Sequence, residues 1–88
     1  MIKKYALVTG ASSGIGLEIS KILASIGFSL VLVARREDKL KEVTKTLINK
    51  YDITADYCVG DLENPNIPQI IYDFCHKKGY FIRLLVNN

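Results

Sequence analysis

Three glycines, Gly10, Gly14 and Gly16, stand within seven residues in the stretch LVTGASSGIGLEIS, Leu7 to Ser20. The stretch begins apolar, loses its side chains, and then takes up a helical period. A strand passing into a helix through glycines aims the unpaired N–H groups of the helix's first turn, at the positive end of its dipole, beyond the strand. Each glycine has its own use there. Gly10 lets the chain turn sharply out of the strand, Gly14 lets the main chain approach an anion without a Cβ, and Gly16 lets the helix pack closely on the sheet. An ordinary strand-to-helix turn with incidental glycines is the plainer alternative. The apolar strand before and the amphipathic helix after favour a dinucleotide pyrophosphate.

A second constellation ends the next apolar run, in VARRED from Val33 to Asp38. An acid about twenty residues after the glycines would grip a ribose 2′-hydroxyl and mark NAD. Ala34 takes that place, and Arg35 and Arg36 follow. Two guanidiniums at a strand's end can bind a 2′-phosphate through charge-assisted bonds, where a carboxylate would repel it. That points to NADP(H) over NAD(H), against the alternative of a solvated helix start. Glu37 and Asp38 fall in the first turn of the following helix, where the dipole favours acids.

The elements that must position these residues can be read from periodicity. Lys3–Thr9, Ser29–Arg35, Ile53–Gly60 and Ile82–Asn87 read as strands. The first two are near-continuous apolar runs suited to a parallel sheet covered on both faces, and the third alternates more, as at a sheet edge. Between them lie three helical stripes: Ile15, Ile19, Ile22, Leu23 and Ile26; Leu40, Val43, Leu47 and Ile48; and Ile67, Ile70, Ile71, Phe74 and Cys75. Gly27 stops the first. Asn66 is expected to cap the third, with Gln69 three residues on, Pro68 in the first turn and Gly79 at the end. Alternating strands and helices at this spacing mean right-handed parallel crossovers in an α/β fold.

At this point the chain resembles a family. TGASSGIG, Thr9 to Gly16, is similar to the Thr-Gly-x-x-x-Gly-x-Gly signature of the short-chain dehydrogenases/reductases. GDL at Gly60–Leu62 and LLVNN at Leu84–Asn88 fall where that family has its next motifs, the second resembling the start of Asn-Asn-Ala-Gly. Arg83 departs from the acid more usual there. The expected fold is Rossmann-like, a partial doubly wound parallel sheet, β-α-β-α-β-α-β, for which the right-handed crossover rule gives strand order 3-2-1-4, with the first two helices on one face and the third on the other. The resemblance implies that Ser12, Ser13 and Ile15 join the glycines around the phosphates, and that Asp61 bonds the adenine amino group beside Leu62. Asp61 as a cap of the turn before the third helix is the alternative. Asn87 and Asn88 would line the adenine-ribose side and, with Thr9, tie the first strand to the fourth.

The resemblance also implies hydride transfer between NADP(H) and a carbonyl or alcohol, by a Tyr-x-x-x-Lys pair and a Ser. None of Tyr5, Tyr51, Tyr57, Tyr72 and Tyr80 has a lysine four residues later. Residues 1–88 are therefore expected to be an incomplete NAD(P)-binding Rossmann domain, truncated before the catalytic half and inactive alone. A non-catalytic Rossmann module serving binding or assembly is the alternative. The fourth strand would be an exposed edge inviting self-association.

Composition closes off other classes. A net charge of +3 with scattered lysines and arginines does not argue for nucleic acid. The apolar run up to Val8 is too short for a signal peptide, and the longest, Ile26–Ala34, is half a membrane span. Cys58 and Cys75 lack Cys-x-x-Cys spacing and read as buried free thiols in a reducing, cytoplasmic setting. No metal set is spaced for ligation, and His76, among basic residues at a helix end, complements the dipole.

Overall fold

The computed structural model describes residues 3–88; Met1 and Ile2, where the reading for a signal peptide begins, lie outside them. The chain runs β1 (Tyr5–Thr9), α1 (Gly14–Ser25), β2 (Ser29–Ala34), α2 (Glu37–Tyr51), β3 (Ala55–Val59), α3 (Ile67–Lys78) and β4 (Ile82–Val86). All strands are parallel, in the order β3-β2-β1-β4. This is the α/β arrangement expected from the alternation of periods, with β3 shorter at both ends and the other strands shorter by one or two residues at one end.

Period-two alternation splits the sheet into two faces. Ala6, Val8, Leu30, Leu32 and Ala34 pack against Leu23 and Ala24 of α1 and Leu40 and Leu47 of α2. Tyr5, Leu7, Val31, Val33 and Cys58 face the other way and meet Cys75 of α3, with Ile71 and Phe74 partly buried. Every residue of β1 and β2 is buried, whereas β3 at the edge is mostly half-buried. Cys58 and Cys75 are free thiols, and burial, with the Asp56 carboxylate nearby, pushes both upward in pKa.

The isoleucine stripe of α1 is corrected by the structure. Gly16, Ser20, Leu23 and Ala24 are the buried positions, while Ile15, Ile22 and Ile26 are 70%, 61% and 67% exposed. Leu23 is buried as expected and Ile19 packs partly against the same core, while the small residues Gly16, Ser20 and Ala24 take the rest of the contact. Ser20 can be buried because its hydroxyl donates to the Gly16 carbonyl at 2.8 Å. In α2, Leu40 and Leu47 are buried as expected, but Thr44 replaces Ile48, which is exposed. The Thr44 hydroxyl is enclosed with no partner among the described residues.

α3 begins differently from the expected cap. The Asn66 side chain caps nothing, and the Gln69 amide donates to Asp73 Oδ1 at 2.8 Å instead of reaching back. Asn64 does the work: its Oδ1 accepts the Asn66 N–H at 2.9 Å and its carbonyl accepts the Ile67 N–H at 3.0 Å. Ile70 points outward; Ile67 and Cys75 are the buried anchors. The end is as expected, with Gly79 left-handed at φ 76° and the Tyr80 N–H returning to the Cys75 carbonyl at 2.9 Å.

Between the pairs Tyr5–Ile82 and Ala6–Leu84 the β1–β4 register slips by one, and Arg83 is the extra residue. Below it, the Tyr80 hydroxyl donates to Asp56 Oδ2 at 2.8 Å, and its ring stacks on Tyr5 at 4.4 Å. Among the described residues, no helix is long and apolar enough to cross a membrane.

Candidate cofactor site

The site forms where β1, β2 and β3 end and α1 and α2 begin. Gly10 and Gly14 both sit at φ +61°, the left-handed region that other residues resist. The turn is fastened to the sheet by the Ala11 N–H, which donates to the Val33 carbonyl at 3.2 Å. Ser13 precedes α1 in an extended conformation and its side chain caps nothing. The Leu17 N–H is the first to bond back, to the Ser13 carbonyl at 3.5 Å. The N–H groups of Gly14, Ile15 and Gly16 thus have no acceptor among the described residues, the state expected of an uncapped helix start. In front of Gly14 there is open space: beyond its chain neighbours and its own helix backbone, no atom of the described residues lies within 4 Å of where a Cβ would be.

Gly16 is needed for a different reason from the one expected. A Cβ there would strike the Gly10 carbonyl and come within 2.9 Å of Asn88 Nδ2. Its close neighbour is the turn itself, not the sheet. Asn88 in turn donates its backbone N–H to Thr9 Oγ1 at 3.0 Å and its side-chain amide to the Gly10 carbonyl at 3.4 Å. Thr9 Oγ1 lies 3.1 Å from Asn87 Oδ1, to which it can donate. The expected tie between the first and fourth strands is present.

Above the turn is a cavity of about 430 Å³. Gly10, Ser12 and Ser13 line it from β1–α1; Ala34, Arg35, Arg36 and Lys39 from β2–α2; Gly60, Asp61, Leu62 and Glu63 from β3–α3. The structure therefore gathers Ser12, Ser13, Arg35, Arg36, Asp61 and Leu62 with Gly10. It leaves Gly14, Ile15, Gly16, Asn87 and Asn88 outside that cavity; Asn87 borders the apolar space beside α3 and β4. One Asp61 oxygen accepts the Glu63 N–H at 2.9 Å, so the same carboxylate lines the cavity and holds the turn before α3. Glu37 and Asp38 lie in the first turn of α2 as expected, Asp38 paired with Arg36 at 3.4 Å. Lys39 was missed by reading the sequence. Its signal was there: it stands three residues after Arg36, on the same side of a helix start.

The donor set suits a dinucleotide. Free amides and an open glycine meet the requirements of a diphosphate, cations lie at the end of β2, and an acceptor lies at the end of β3.

The family model for short chain dehydrogenase matches residues 4–88. The chain belongs to the short-chain dehydrogenase family. Over 86 residues it is 53% identical to the very-long-chain 3-oxoacyl-CoA reductase of Eremothecium gossypii and 42% identical to that of Candida glabrata, each match covering 96% of this chain and 24% of the relative. It thus spans about a quarter of the length of these short-chain dehydrogenase relatives. Among solved structures it superimposes on L-sorbose reductase from Gluconobacter frateurii complexed with NADPH and L-sorbose, with a TM-score of 0.93 and 33% identity, covering 99% of this chain and 33% of that one. Menthone neomenthol reductase from Mentha piperita gives a TM-score of 0.86 at 35% identity, over 100% of this chain and 32% of the other.

Proposed function

We propose that this short-chain dehydrogenase chain binds NADP(H) by its adenosine half, as the cofactor-holding part of an oxidoreductase acting on a carbonyl or alcohol. The observation that carries the reading is the pairing of Arg35 and Arg36 with Ala34 on the cavity at the end of β2, where NAD-binding sites carry an acid. The NADPH in the L-sorbose reductase complex supports it. In this reading the amides of Gly14, Ile15 and Gly16, with Ser12 and Ser13, hold the diphosphate beside Gly10. Arg35 and Arg36 take the 2′-phosphate, Asp61 accepts from the adenine amino group with Leu62 against the ring, and Asn87 and Asn88 flank the adenine ribose.

Bound there, the cofactor supplies or receives the hydride. The chain's own residues bind and orient it. No Tyr-x-x-x-Lys pair stands among these 88 residues, so the purified chain is expected to bind NADPH without reducing carbonyls. A non-catalytic binding module is the second reading, favoured by 37% identity over 67 residues to the human inactive hydroxysteroid dehydrogenase-like protein 1. We also propose that copies associate through β4, whose outer edge pairs with no described strand and carries the exposed Leu85 beside Phe81. Light scattering that finds only monomer at high concentration removes that proposal.

Fluorescence titration tests the cofactor. NADPH is expected to bind about tenfold or more tightly than NADH, since charge-assisted bonds to a phosphate are the difference. Replacing both Arg35 and Arg36 by alanine should narrow the gap severalfold. Equal or tighter binding of NADH to the unaltered chain sinks the preference.

A further inference from the structure

Three cations border the cavity, and they are not equally available. Arg36 is held by the Asp38 carboxylate at 3.4 Å. The other first-turn acid, Glu37, is drawn toward β3, where its Oε2 accepts the Tyr57 hydroxyl at 3.3 Å. Lys39 is exposed and forms no ion pair with any described residue. Its place is also electrostatically odd. With Arg36 as N-cap, Lys39 is the third residue of α2, near the positive end of the helix dipole, where a cation is disfavoured and acids are preferred. Breaking a local rule at a cavity rim is what a residue kept for a ligand does.

We propose that Lys39 is a specificity-determining residue of this site: like Arg35 it borders the cavity without an ion pair to any described residue, and it supplies a second free cation to recognise a phosphate on the adenosine 2′ position. The inference rests on the NADP(H) reading and deepens it. Arg36, shared with Asp38, meets the anion with a partly offset charge, and Arg35 and Lys39 add charge that no described carboxylate offsets. Across the cavity, Asp61 and Glu63 make the opposite side acidic. That contrast orients the ligand, its phosphate toward β2–α2 and its base toward β3–α3.

Isothermal titration with adenosine 2′,5′-bisphosphate and with 5′-AMP separates this inference from its parent. The unaltered chain should prefer the bisphosphate. Lys39→Gln should weaken the bisphosphate about tenfold and change 5′-AMP by less than about twofold. Lys39→Arg should keep most of the preference. Thermal melting should show Lys39→Gln equal to or above the unaltered chain, because a cation leaves the helix start. A Lys39→Gln chain with an unchanged preference, or with both ligands weakened alike, overturns the role of Lys39 and leaves the NADP(H) reading standing. No preference in the unaltered chain defeats both.

Discussion

On the α1/α2 side of the sheet Leu30, Leu32 and Leu40 are fully enclosed, whereas on the α3 side Leu85 is 63% exposed beside an apolar cavity of about 970 Å³. Two crossovers cover the first face and only one covers the second. The polar cavity belongs to the better-packed side: its glycine turn leads into α1 and its cations lead into α2. Among the described residues, Leu62 alone lines both spaces. The glycine turn and the cations of the polar cavity are thus carried by elements of the face whose packing is closed, while the larger apolar space touches that cavity through Leu62 and is bordered by Asn87.

Core truncation should show the contrast most strongly. At a dilution where the chain is monomeric, Leu32→Ala should cost about 2–5 kcal/mol in urea unfolding, while Leu85→Ala should stay within about 0.5 kcal/mol. A Leu85→Ala loss that grows with protein concentration would mean that a second copy packs the α3 side, as the proposed association through β4 requires. The glycine turn comes next. Gly16→Ala drives a Cβ into the Gly10 carbonyl and should cost about 1–3 kcal/mol while weakening NADPH, since the amides of the same turn are displaced. Gly16→Ala with full stability and full binding would show the turn to be softer than its packing implies.

The smallest effect belongs to the α3 side and depends on pH. Burial, then the hydrogen bond and charge of Asp56, push the Tyr80 phenol from 10.0 up to about 12. The folded chain keeps that proton where the unfolded chain has released it, so the stabilisation is whole below pH 10 and is lost as pH rises through about 12. Tyr80→Phe should flatten this alkaline decline without abolishing it, because Tyr5 is shifted the same way by burial and by Asp56. Urea unfolding between pH 9 and 12 checks it, and an unchanged slope would count against the Asp56 contact.

Much of this was legible in the residues. Gly10, Gly14 and the Arg35–Arg36 pair are local signals: a left-handed φ needs glycine, and charge after a parallel strand must fall at its C-terminal edge. What periodicity misjudged was α1. The stripe of Ile15, Ile19, Ile22, Leu23 and Ile26 holds for Leu23 and in part for Ile19, but hydrophobicity also chooses Ile15, Ile22 and Ile26, which are exposed, over Gly16, Ser20 and Ala24. The close approach of the helix to the turn chooses the small residues. Lys39 escaped for a related reason, since a lone lysine on a helix is ordinary until the cavity beside it is known.

By itself the sequence determined the order of strands and helices, the parallel sheet and the glycine turn, because these follow from backbone preference and from the period of apolar residues. Only the tertiary structure decided which face of α1 is buried, that Gly16 answers to Gly10, that Arg83 is the extra residue beside β1, and which cations share one cavity. Those outcomes depend on distances between segments far apart in the chain, and no local period encodes a distance.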